Sequence, residues 1–293
     1  MNQYIDKSFY NFAGKHMNTP TNNTEPLQID IDQIIKSKNP GLYKMLPGFI
    51  IRYIKKILHQ DDNNYYLRKY RDKKGKDFSE AILNDWNIKT KAEGEENIPD
   101  EGRFVFAANH PLGGIESLAF MKVVQEHYPN IKFPVNDILL NLEPFDEIFL
   151  PINKHGSQSK LAAQKIDEAY ASGAQICFFP AGLVSRKIKG KVIDLEWKKS
   201  FISKAIQHKR DIIPVHISGR NSNFFYRLGN FRKFIGIKAN IEMFYLANEL
   251  YKHKNTTLTI RFGKPISHTM LTKEKNHKEW AQYVKNKCYD LAD

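Results

Sequence analysis

Cysteine and long apolar runs are both scarce in this sequence of 293 residues. Cys177 and Cys288 are the only cysteines, so neither a disulfide framework nor a cysteine-based zinc site can form, which favours a reducing compartment. No run of 18 uncharged apolar residues occurs, and the opening "MNQYIDKSFYNFAGKH" has no continuous apolar region. We therefore expect neither a membrane-spanning helix nor a signal peptide, and we predict a soluble or peripheral cytoplasmic protein.

Acidic residues are also too few to balance the basic ones. The 32 Asp and Glu face 45 Lys and Arg, which gives a formal net charge of +13. Most of the excess falls in one segment, because residues 36–76 hold twelve Lys and Arg against three Asp. Such a segment attracts anions, either the phosphates of a nucleic acid or the headgroups of a membrane.

The stretch "LPGFIIRYIKKILHQ" within that segment predicts a basic amphipathic helix. Its basic side chains recur at helical spacing and bulky apolar residues fill the remaining face, a pattern typical of helices that lie in a membrane interface. The predicted membrane-docking residues are Phe49, Arg52, Lys55 and Lys56. A helix packed on its own core with a solvated basic face fits the pattern equally well. A nucleic-acid partner is not expected, since aliphatic side chains offer bases no stacking platform.

The order of patterns along the chain predicts an α/β fold. Residues 1–26, rich in Asn and Thr, indicate a flexible N-terminal arm, and residues 27–87 indicate a basic helical segment for membrane docking. From residue 88 to residue 293, short apolar runs such as "RFVFAA", "AQICFFP" and "DIIPVHIS" alternate with helical stretches. This alternation predicts one domain with a largely parallel central sheet flanked by helices.

Chemically capable residues follow three of the predicted strands. In a parallel sheet, the loops after the carboxyl ends of the strands converge on one rim, where active groups tend to lie. The candidates are Asn109, His110, Gly113, Gly114 and Glu116 on the first loop, Lys154 on the second, and Gly182, Ser185, Arg186 and Lys187 on the third. A fourth strand end, in "PVHISGRNS", brings Arg220 and Asn221 to the same rim.

His110 and Glu116 are the candidate catalytic residues. A carboxylate near an imidazole fixes its tautomer and stabilises its charged form, so His110 can act as a general base. Gly113 and Gly114 allow close backbone approach, and the helix N-terminus that follows suits an anion. No metal-ligand cluster and no serine or cysteine nucleophile competes with this pair. We therefore expect no metal and no covalent enzyme intermediate.

The segments "NHPLGGIES", "IFLPINKHG", "FFPAGLVSRK" and "IIPVHISG" resemble, in order and spacing, the four motifs of glycerolipid acyltransferases. The likeness is closer to a bacterial branch of hemolysin-like or amino-acid-lipid acyltransferases, which complete glycine or ornithine lipids. The resemblance implies an O-acyltransferase, without a cofactor, that moves a fatty acyl group from acyl carrier protein or acyl-CoA to the hydroxyl of a lyso-lipid. It also implies that His110 deprotonates this hydroxyl and that Glu116 orients His110.

The sequence departs from the family motifs at three places. Five residues rather than four separate His110 from the carboxylate, which is Glu116 rather than Asp. Ala181 replaces the Glu that helps the family to bind glycerol phosphate, and Lys154 replaces an Arg. The resemblance leaves the basic pair after Ser185 as anchors for an anionic headgroup, since Arg is suited to bidentate binding.

The predicted function is the acylation of a lyso-lipid of the glycine or ornithine type by an enzyme docked on the anionic inner face of the membrane. One alternative is the acylation of 1-acylglycerol 3-phosphate in phospholipid synthesis, which the Ala181 departure disfavours. The other is a non-catalytic, hemolysin-like membrane-binding protein, which the departures at Glu116 and Ala181 permit.

Overall fold

The computed structural model describes residues 28–136, 139–152, 157–237 and 240–292. The predicted arm of residues 1–26 and the candidate Lys154 lie outside the described residues. The strands are short, and they are β1 Lys89–Glu93, β2 Phe104–Ala108, β3 Ile131–Val135, β4 Phe149–Pro151, β5 Gln175–Phe178, β6 Arg186–Ile188, β7 Lys191–Ile193, β8 Asp211–Ile217 and β9 Thr257–Phe262.

Helices precede the sheet and connect its strands. The helices before the sheet are α1 Ile31–Lys38, α2 Pro40–Met45, α3 Gly48–Ile57, α4 Gln60–Lys69 and α5 Gly75–Asp85. Those that follow are α6 Ile115–His127, α7 Ser157–Ala171, α8 Ser200–His208, α9 Asn223–Phe234, α10 Leu246–Tyr251 and α11 His277–Tyr289. The helical character predicted for the segment before the sheet is thus confirmed for its described residues.

Seven of the described strands form one sheet in the order β1-β9-β8-β2-β5-β3-β4. All neighbouring pairs are parallel except β8 and β9, which confirms the prediction of a largely parallel sheet. Because β2, β5 and β8 are parallel neighbours, their carboxyl ends meet at one rim. The first and third candidate loops, after β2 and β5, therefore start side by side, whereas the second follows β4 at the edge of the sheet.

Alternate residues of the central strand β2 face two separate apolar layers. Phe104, Phe106 and Ala108 belong to a cluster that α5 and α6 complete, whereas Val105 and Ala107 belong to a cluster that α7, α8 and α11 complete. All five residues are buried. Helices thus cover both faces of the sheet, as strands that are apolar on both sides require.

The helices before the sheet differ in how deeply they are buried. Phe78, Ile82 and Leu83 of α5 lie in the same apolar cluster as α6, so the last part of the predicted docking segment belongs to the core. Helix α3 lies at the surface, where the hydroxyl of Tyr53 hydrogen-bonds that of Tyr245 (2.9 Å). None of the described helices is long and apolar enough to cross a membrane.

The sequence pattern does not predict β1 or the hairpin of β6 and β7. Strand β1 has the polar sequence "KTKAE" and lies at the edge of the sheet, so it carries no apolar run. Strands β6 and β7 are antiparallel and are joined by Lys189 and Gly190, both of which have positive φ, as a two-residue hairpin turn requires. This hairpin begins with Arg186 and Lys187, the last two residues of the third motif.

A buried arginine closes the C-terminal end of α7. Arg210 is fully buried, and its guanidinium donates hydrogen bonds to the carbonyl oxygens of Tyr170 (2.7 Å), Ser172 (2.6 Å) and Ala174 (2.8 Å). These carbonyls lie at or just beyond the end of the helix, where acceptors have no helical N–H partner. A cation at this end also interacts favourably with the helix dipole.

We expect Arg210→Met to lower the free energy of unfolding by about 3 kcal/mol, because it leaves several buried carbonyl oxygens without a donor. Urea unfolding followed by circular dichroism measures the change. Arg103→Met is the matched control, because Arg103 also donates to terminal carbonyls, those of Ala171 (3.2 Å) and His208 (3.0 Å), but is exposed. It should cost less than about 1 kcal/mol. Equal losses from the two variants would contradict the role given to the buried guanidinium.

Candidate active site

Asn109 joins two strands where they end at the rim. Its side-chain oxygen accepts a hydrogen bond from the N–H of Ile217 (2.6 Å), and its amide donates to the carbonyl oxygen of Ile217 (3.0 Å). The side chain is buried. The amide predicted to bind substrate is thus used to fasten β2 to β8, and this fixes the start of the loop that carries His110.

The structure brings together the two residues predicted to be catalytic. The Nδ1 atom of His110 lies 2.9 Å from Oε1 of Glu116. The N–H bond does not point directly enough at Oε1 to form a well-aligned hydrogen bond. Glu116 is fully buried, whereas the side chain of His110 is 17% exposed. The extra residue between them therefore does not prevent contact.

The backbone of the preceding turn holds the Glu116 carboxylate. Its Oε1 accepts hydrogen bonds from the N–H groups of Leu112 (2.8 Å) and Gly113 (2.7 Å), and its Oε2 accepts one from Gly114 (2.7 Å). The backbone donors expected to hold a substrate anion thus bind the protein's own carboxylate in the first turn of α6. Glycine is needed at position 113, because φ is +92° and a Cβ atom would lie 2.6 Å from the side chain of Leu246.

Glu116 is ionised at neutral pH. Burial opposes the charge, but the His110 ring and the N–H groups of Gly113 and Gly114 outweigh it and lower the pKa of the Glu116 carboxyl to about 2. An anionic oxygen beside Nδ1 keeps a proton on that nitrogen, so the lone pair of a neutral ring lies on Nε2. The carboxylate therefore selects the tautomer that a general base needs.

The neighbouring strand sets the plane of the His110 ring. Phe179, which directly follows β5, stacks on this ring with a centroid distance of 4.2 Å and an angle of 17° between the planes. The Nε2 atom forms no hydrogen bond with the described residues, and it is not among the buried polar atoms that lack a partner. This nitrogen therefore faces space that a substrate hydroxyl can enter.

A second buried carboxylate, Asp194, holds the main chain of His110, and the sequence analysis missed it. Its Oδ1 accepts hydrogen bonds from the N–H of His110 (3.2 Å) and the hydroxyl of Ser185 (2.5 Å), and its Oδ2 accepts one from the indole of Trp197 (2.8 Å). The N–H of Ser185 donates to the carbonyl oxygen of His110 (2.7 Å). The candidate Ser185 is therefore buried and positions His110. Burial raises the pKa of Asp194, while the donors of Ser185 and Trp197 favour its charged form.

The C-terminal helix α11 fastens Asp194 in turn. The N–H of Asp194 donates to the hydroxyl of Tyr289 (2.7 Å), and the ammonium of Lys285 donates to the carbonyl oxygens of Asp194 (2.7 Å) and Leu195 (3.0 Å). The sequence signal for this arrangement is weak. It consists of Asp194 three positions before Trp197, within the segment "DLEWKKSFI".

The other candidates on the third loop lie at different depths. Gly182 is exposed with a φ of +64°, and a Cβ atom there would come within 3.0 Å of Nζ of Lys198. Arg186 is buried, and its NH2 atom lies 3.1 Å from the Glu242 carboxylate, so it takes part in an internal ion pair. Lys187 is half-buried on β6. It forms no ion pair with the described part of the chain, so its charge is available to a ligand.

The loop after β8 supports the catalytic turn from a third side. The side chain of Asn221 donates a hydrogen bond to the carbonyl oxygen of Leu112 (3.2 Å), and its N–H donates to the hydroxyl of Tyr226 (3.0 Å). The loops after β2, β5 and β8 thus contact one another. The convergence predicted from the strand pattern is confirmed for these three loops, while the loop with Lys154 lies outside the described residues.

The predicted docking residues lie on α3. Phe49 is 65% exposed, and Arg52 and Lys56 are also exposed. Lys55 is half-buried and pairs with Asp32 of α1. Three of the predicted residues therefore face solvent, while Lys55 ties α3 to its neighbour.

The rim is built for proton transfer rather than for covalent catalysis. The buried hydroxyl of Ser185, which also contacts the main chain of His110, donates its hydrogen bond to Asp194. Burial raises the pKa of the Cys177 and Cys288 thiols, which disfavours the thiolate that a nucleophile needs. An imidazole with an oriented lone pair is the reactive group that remains.

Comparisons with known proteins show which family this chain resembles. A family model described as Acyltransferase matches residues 33–293. A protein named "Lyso-glycine lipid O-acyltransferase" from Bacteroides thetaiotaomicron is 46% identical over 264 residues, which is 90% of this chain and 97% of that protein. A protein of the same name from Phocaeicola vulgatus is 44% identical over 264 residues, which is 90% of this chain and 95% of that protein.

Among solved structures, the 1-acyl-sn-glycerophosphate (LPA) acyltransferase PlsC from Thermotoga maritima is 17% identical, with a TM-score of 0.46. The alignment covers 74% of this chain and 78% of that chain. The family match extends from α1 through α11, and each curated relative aligns over nine-tenths of the chain. The chain therefore belongs to the acyltransferase family.

Proposed function

We propose that this protein is an O-acyltransferase that completes a glycine lipid by acylating the free hydroxyl of its lyso form. The observation that carries the proposal is the 2.9 Å contact between His110 and the buried Glu116, which supplies an oriented base at the rim. The relatives of 46% and 44% identity are named for this reaction, which supports an acceptor of the glycine type over the ornithine type.

In the first step, Nε2 of His110 removes the proton from the acceptor hydroxyl while the hydroxyl oxygen attacks the carbonyl carbon of an acyl thioester. A C–O bond forms, the carbonyl oxygen becomes an oxyanion, and Glu116 stabilises the imidazolium. In the second step, the tetrahedral intermediate expels the thiolate as its C–S bond breaks. The imidazolium returns its proton to the sulfur, so the products are an ester and a free thiol.

The non-catalytic alternative loses its basis. It rested on the departure from Asp to Glu116 and on Ala181, but Glu116 reaches His110 in spite of the extra residue. The chain also belongs to a family of enzymes. We therefore propose a catalytic role for this protein.

Position 181 bears on the choice of acceptor. Ala181 is buried in the apolar cluster that α7, α8 and α11 complete, so it offers no polar group to a glycerol phosphate. The headgroup of a lyso-glycine lipid ends in a single carboxylate. We propose that Lys187, which is half-buried and unpaired among the described residues, binds this carboxylate at the rim.

The substrates lead us to propose a peripheral enzyme on the cytoplasmic face of the membrane. Exposed Phe49, Arg52 and Lys56 on α3 support this location, and a net charge of +13 attracts anionic headgroups, at about 1 kcal/mol per basic residue near the surface. We propose acyl carrier protein or acyl-CoA as the donor, because both are acidic and suit a basic protein. The mechanism uses no cofactor beyond the thioester.

Replacing the base tests the mechanism. We expect His110→Ala to lower turnover about 10²–10⁴-fold, the usual contribution of a general base, while circular dichroism stays unchanged. The assay follows labelled acyl groups from a thioester to lyso-glycine lipid. His127→Ala, at the far end of α6, is the matched control and should retain full turnover. Undiminished turnover in His110→Ala would refute the mechanism.

Glu116 should make stability depend on acid pH. The pKa of its carboxyl is about 2 in the folded protein, against an ordinary value of 4.5. The ionised form therefore contributes stability above about pH 4.5, and this contribution is lost as the pH falls toward 2. We expect the stability difference between wild type and Glu116→Gln to shrink between pH 7 and about pH 3 in urea unfolding. Glu126→Gln, at the exposed end of α6, is the control; a difference for Glu116→Gln that stays constant with pH would contradict the prediction.

Acceptor choice tests the role of Lys187. Purified protein should acylate lyso-glycine lipid with a kcat/KM at least about tenfold above that for lysophosphatidate or lyso-ornithine lipid. Lys187→Met should raise KM for lyso-glycine lipid about tenfold but leave the KM for its uncharged methyl ester unchanged. Lys191→Met, on the paired strand β7, is the control. Preference for lysophosphatidate would overturn the acceptor assignment.

A further inference from the structure

Helix α9 has one face in the core and another in solvent. Phe225, Gly229 and Arg232, spaced four and three residues apart, are buried. Phe224 and Phe231, spaced seven residues apart, are exposed. On a helix of 3.6 residues per turn these two sets lie on different sides. The outward side thus carries large apolar groups, the reverse of an ordinary solvated helix face.

The exposed apolar surface continues past the end of this helix. Phe231 is 59% exposed and Phe234 is 88% exposed. Ile235 and Ile237 are exposed directly after it. We call Phe224, Phe231, Phe234, Ile235 and Ile237 the α9 face. Single apolar residues on a surface are ordinary, but several large ones together mark an interaction site.

Only positive charge surrounds the α9 face in the sequence. Residues 212–241 hold five Lys and Arg and no Asp or Glu. Of these, Arg220, Arg227 and Lys233 are exposed beside the aromatic residues. An apolar surface that is bordered by basic residues is complementary to an anionic partner.

Buried ion pairs fix the orientation of α9. Nε of Arg232 lies 2.5 Å from Oε2 of Glu242, and NH2 of Arg186 lies 3.1 Å from Oε1 of the same carboxylate. All three residues are buried. Breaking a buried pair is strongly destabilising, so the helix cannot rotate to hide its phenylalanines. The exposure of the α9 face is therefore built into the fold.

The α9 face adjoins α3 through two tyrosines. The ring of Phe224 contacts that of Tyr245 at a centroid distance of 5.1 Å, and the hydroxyl of Tyr245 hydrogen-bonds that of Tyr53 on α3 (2.9 Å). Phe49, one helical turn before Tyr53, is exposed. Contacts between aromatic side chains thus link the two helices, through the half-buried Tyr245.

We propose that the α9 face inserts into the interface of an anionic lipid bilayer and forms a second membrane contact beside α3. The proposal rests on the proposed function, since its lyso-lipid acceptor resides in such a bilayer. A bilayer fits better than an acidic carrier protein, because the most exposed side chains are phenylalanines and isoleucines without polar atoms. Such side chains enter the boundary between headgroups and acyl chains, while neighbouring arginine and lysine side chains bind the headgroups.

This second contact brings the membrane to the catalytic rim. Asn221, which holds the turn at Leu112, precedes the first residue of α9 by two positions. A bilayer bound to α9 therefore borders the loop that supports Glu116 and His110. The acceptor can then meet the base without leaving the membrane.

Vesicle sedimentation tests the α9 face. Full-length wild type, Phe231→Ser/Phe234→Ser and the control Leu161→Ser/Met270→Ser are mixed with phosphatidylcholine vesicles that contain either no phosphatidylglycerol or about 30% of it. The control residues are 55% and 51% exposed and lie outside the α9 face. We expect the α9 variant to bind anionic vesicles at least about tenfold more weakly, and the control to bind as wild type. Urea unfolding confirms that each variant is folded.

A charge variant separates the two contributions to binding. Arg227→Gln/Lys233→Gln should weaken binding to vesicles that contain phosphatidylglycerol and leave binding to pure phosphatidylcholine unchanged. Equal binding of this variant and wild type to both kinds of vesicle would overturn the role of these two basic residues.

Turnover separates a failure of this proposal from a failure of the proposed function. With a short-chain acceptor dissolved as monomers, Phe231→Ser/Phe234→Ser should keep the wild-type rate, and with a long-chain acceptor in vesicles its rate should fall with its binding. Wild type without turnover on every acceptor would refute the proposed function, yet the sedimentation result would still decide the α9 face.

Three results would overturn the α9 proposal itself. The first is wild-type vesicle binding by the folded α9 variant. The second is a defect confined to the binding of acyl carrier protein, which would make the face a protein-docking surface. The third is a change from dimer to monomer in sedimentation velocity, which would make it a contact between copies of this chain.

Discussion

The grip of one backbone turn on the Glu116 carboxylate is the interaction on which the active site depends. N–H groups of residues 112–114 and the ring of His110 surround this fully buried group. Without donors, a carboxylate at this depth would take up a proton. With them it stays charged, and its charge then sets the tautomer of His110. Gly113 can adopt the positive φ that this turn needs. The conformational freedom of one glycine thus determines, through Glu116, which nitrogen of His110 carries the proton.

A second set of contacts positions the other end of the same histidine. Asp194 and Ser185 hold its N–H and carbonyl groups, and Phe179 sets its ring plane. The ring, the main chain and the orienting carboxylate are thus fixed from three different loops, which is the precision that catalysis by positioning needs. Buried polar groups are costly unless satisfied. At this rim, several hydrogen-bond donors bind each of the two buried carboxylates, Glu116 and Asp194, and offset the unfavourable free energy of their burial.

The rim could be predicted from the sequence, whereas the contacts that complete it could not. Runs such as "FVFAA" and "QICF" are apolar at every position, so they indicate strands buried on both faces and loops that meet at one edge. Asn109, Ser185 and Arg186, which the sequence predicts to bind substrate, are all buried. Their partners are the protein's own groups. The hydrogen bond between His110 and Asp194 joins residues that are 84 positions apart, so no local sequence pattern predicts it. The polar edge strand β1 could not be predicted for a related reason. It is a strand because it pairs with β9, and its own sequence carries no strand pattern.

Helix α11 lies far along the chain from His110, yet it carries the two side chains that anchor Asp194. Tyr289 and Lys285 bind its main chain, and Asp194 in turn binds that of His110. Loosening of α11 would therefore release Asp194 and with it the main chain of His110, even with every strand of the sheet in place. The order of the catalytic histidine is in this way coupled to the packing of a helix on the opposite side of the sheet from Glu116.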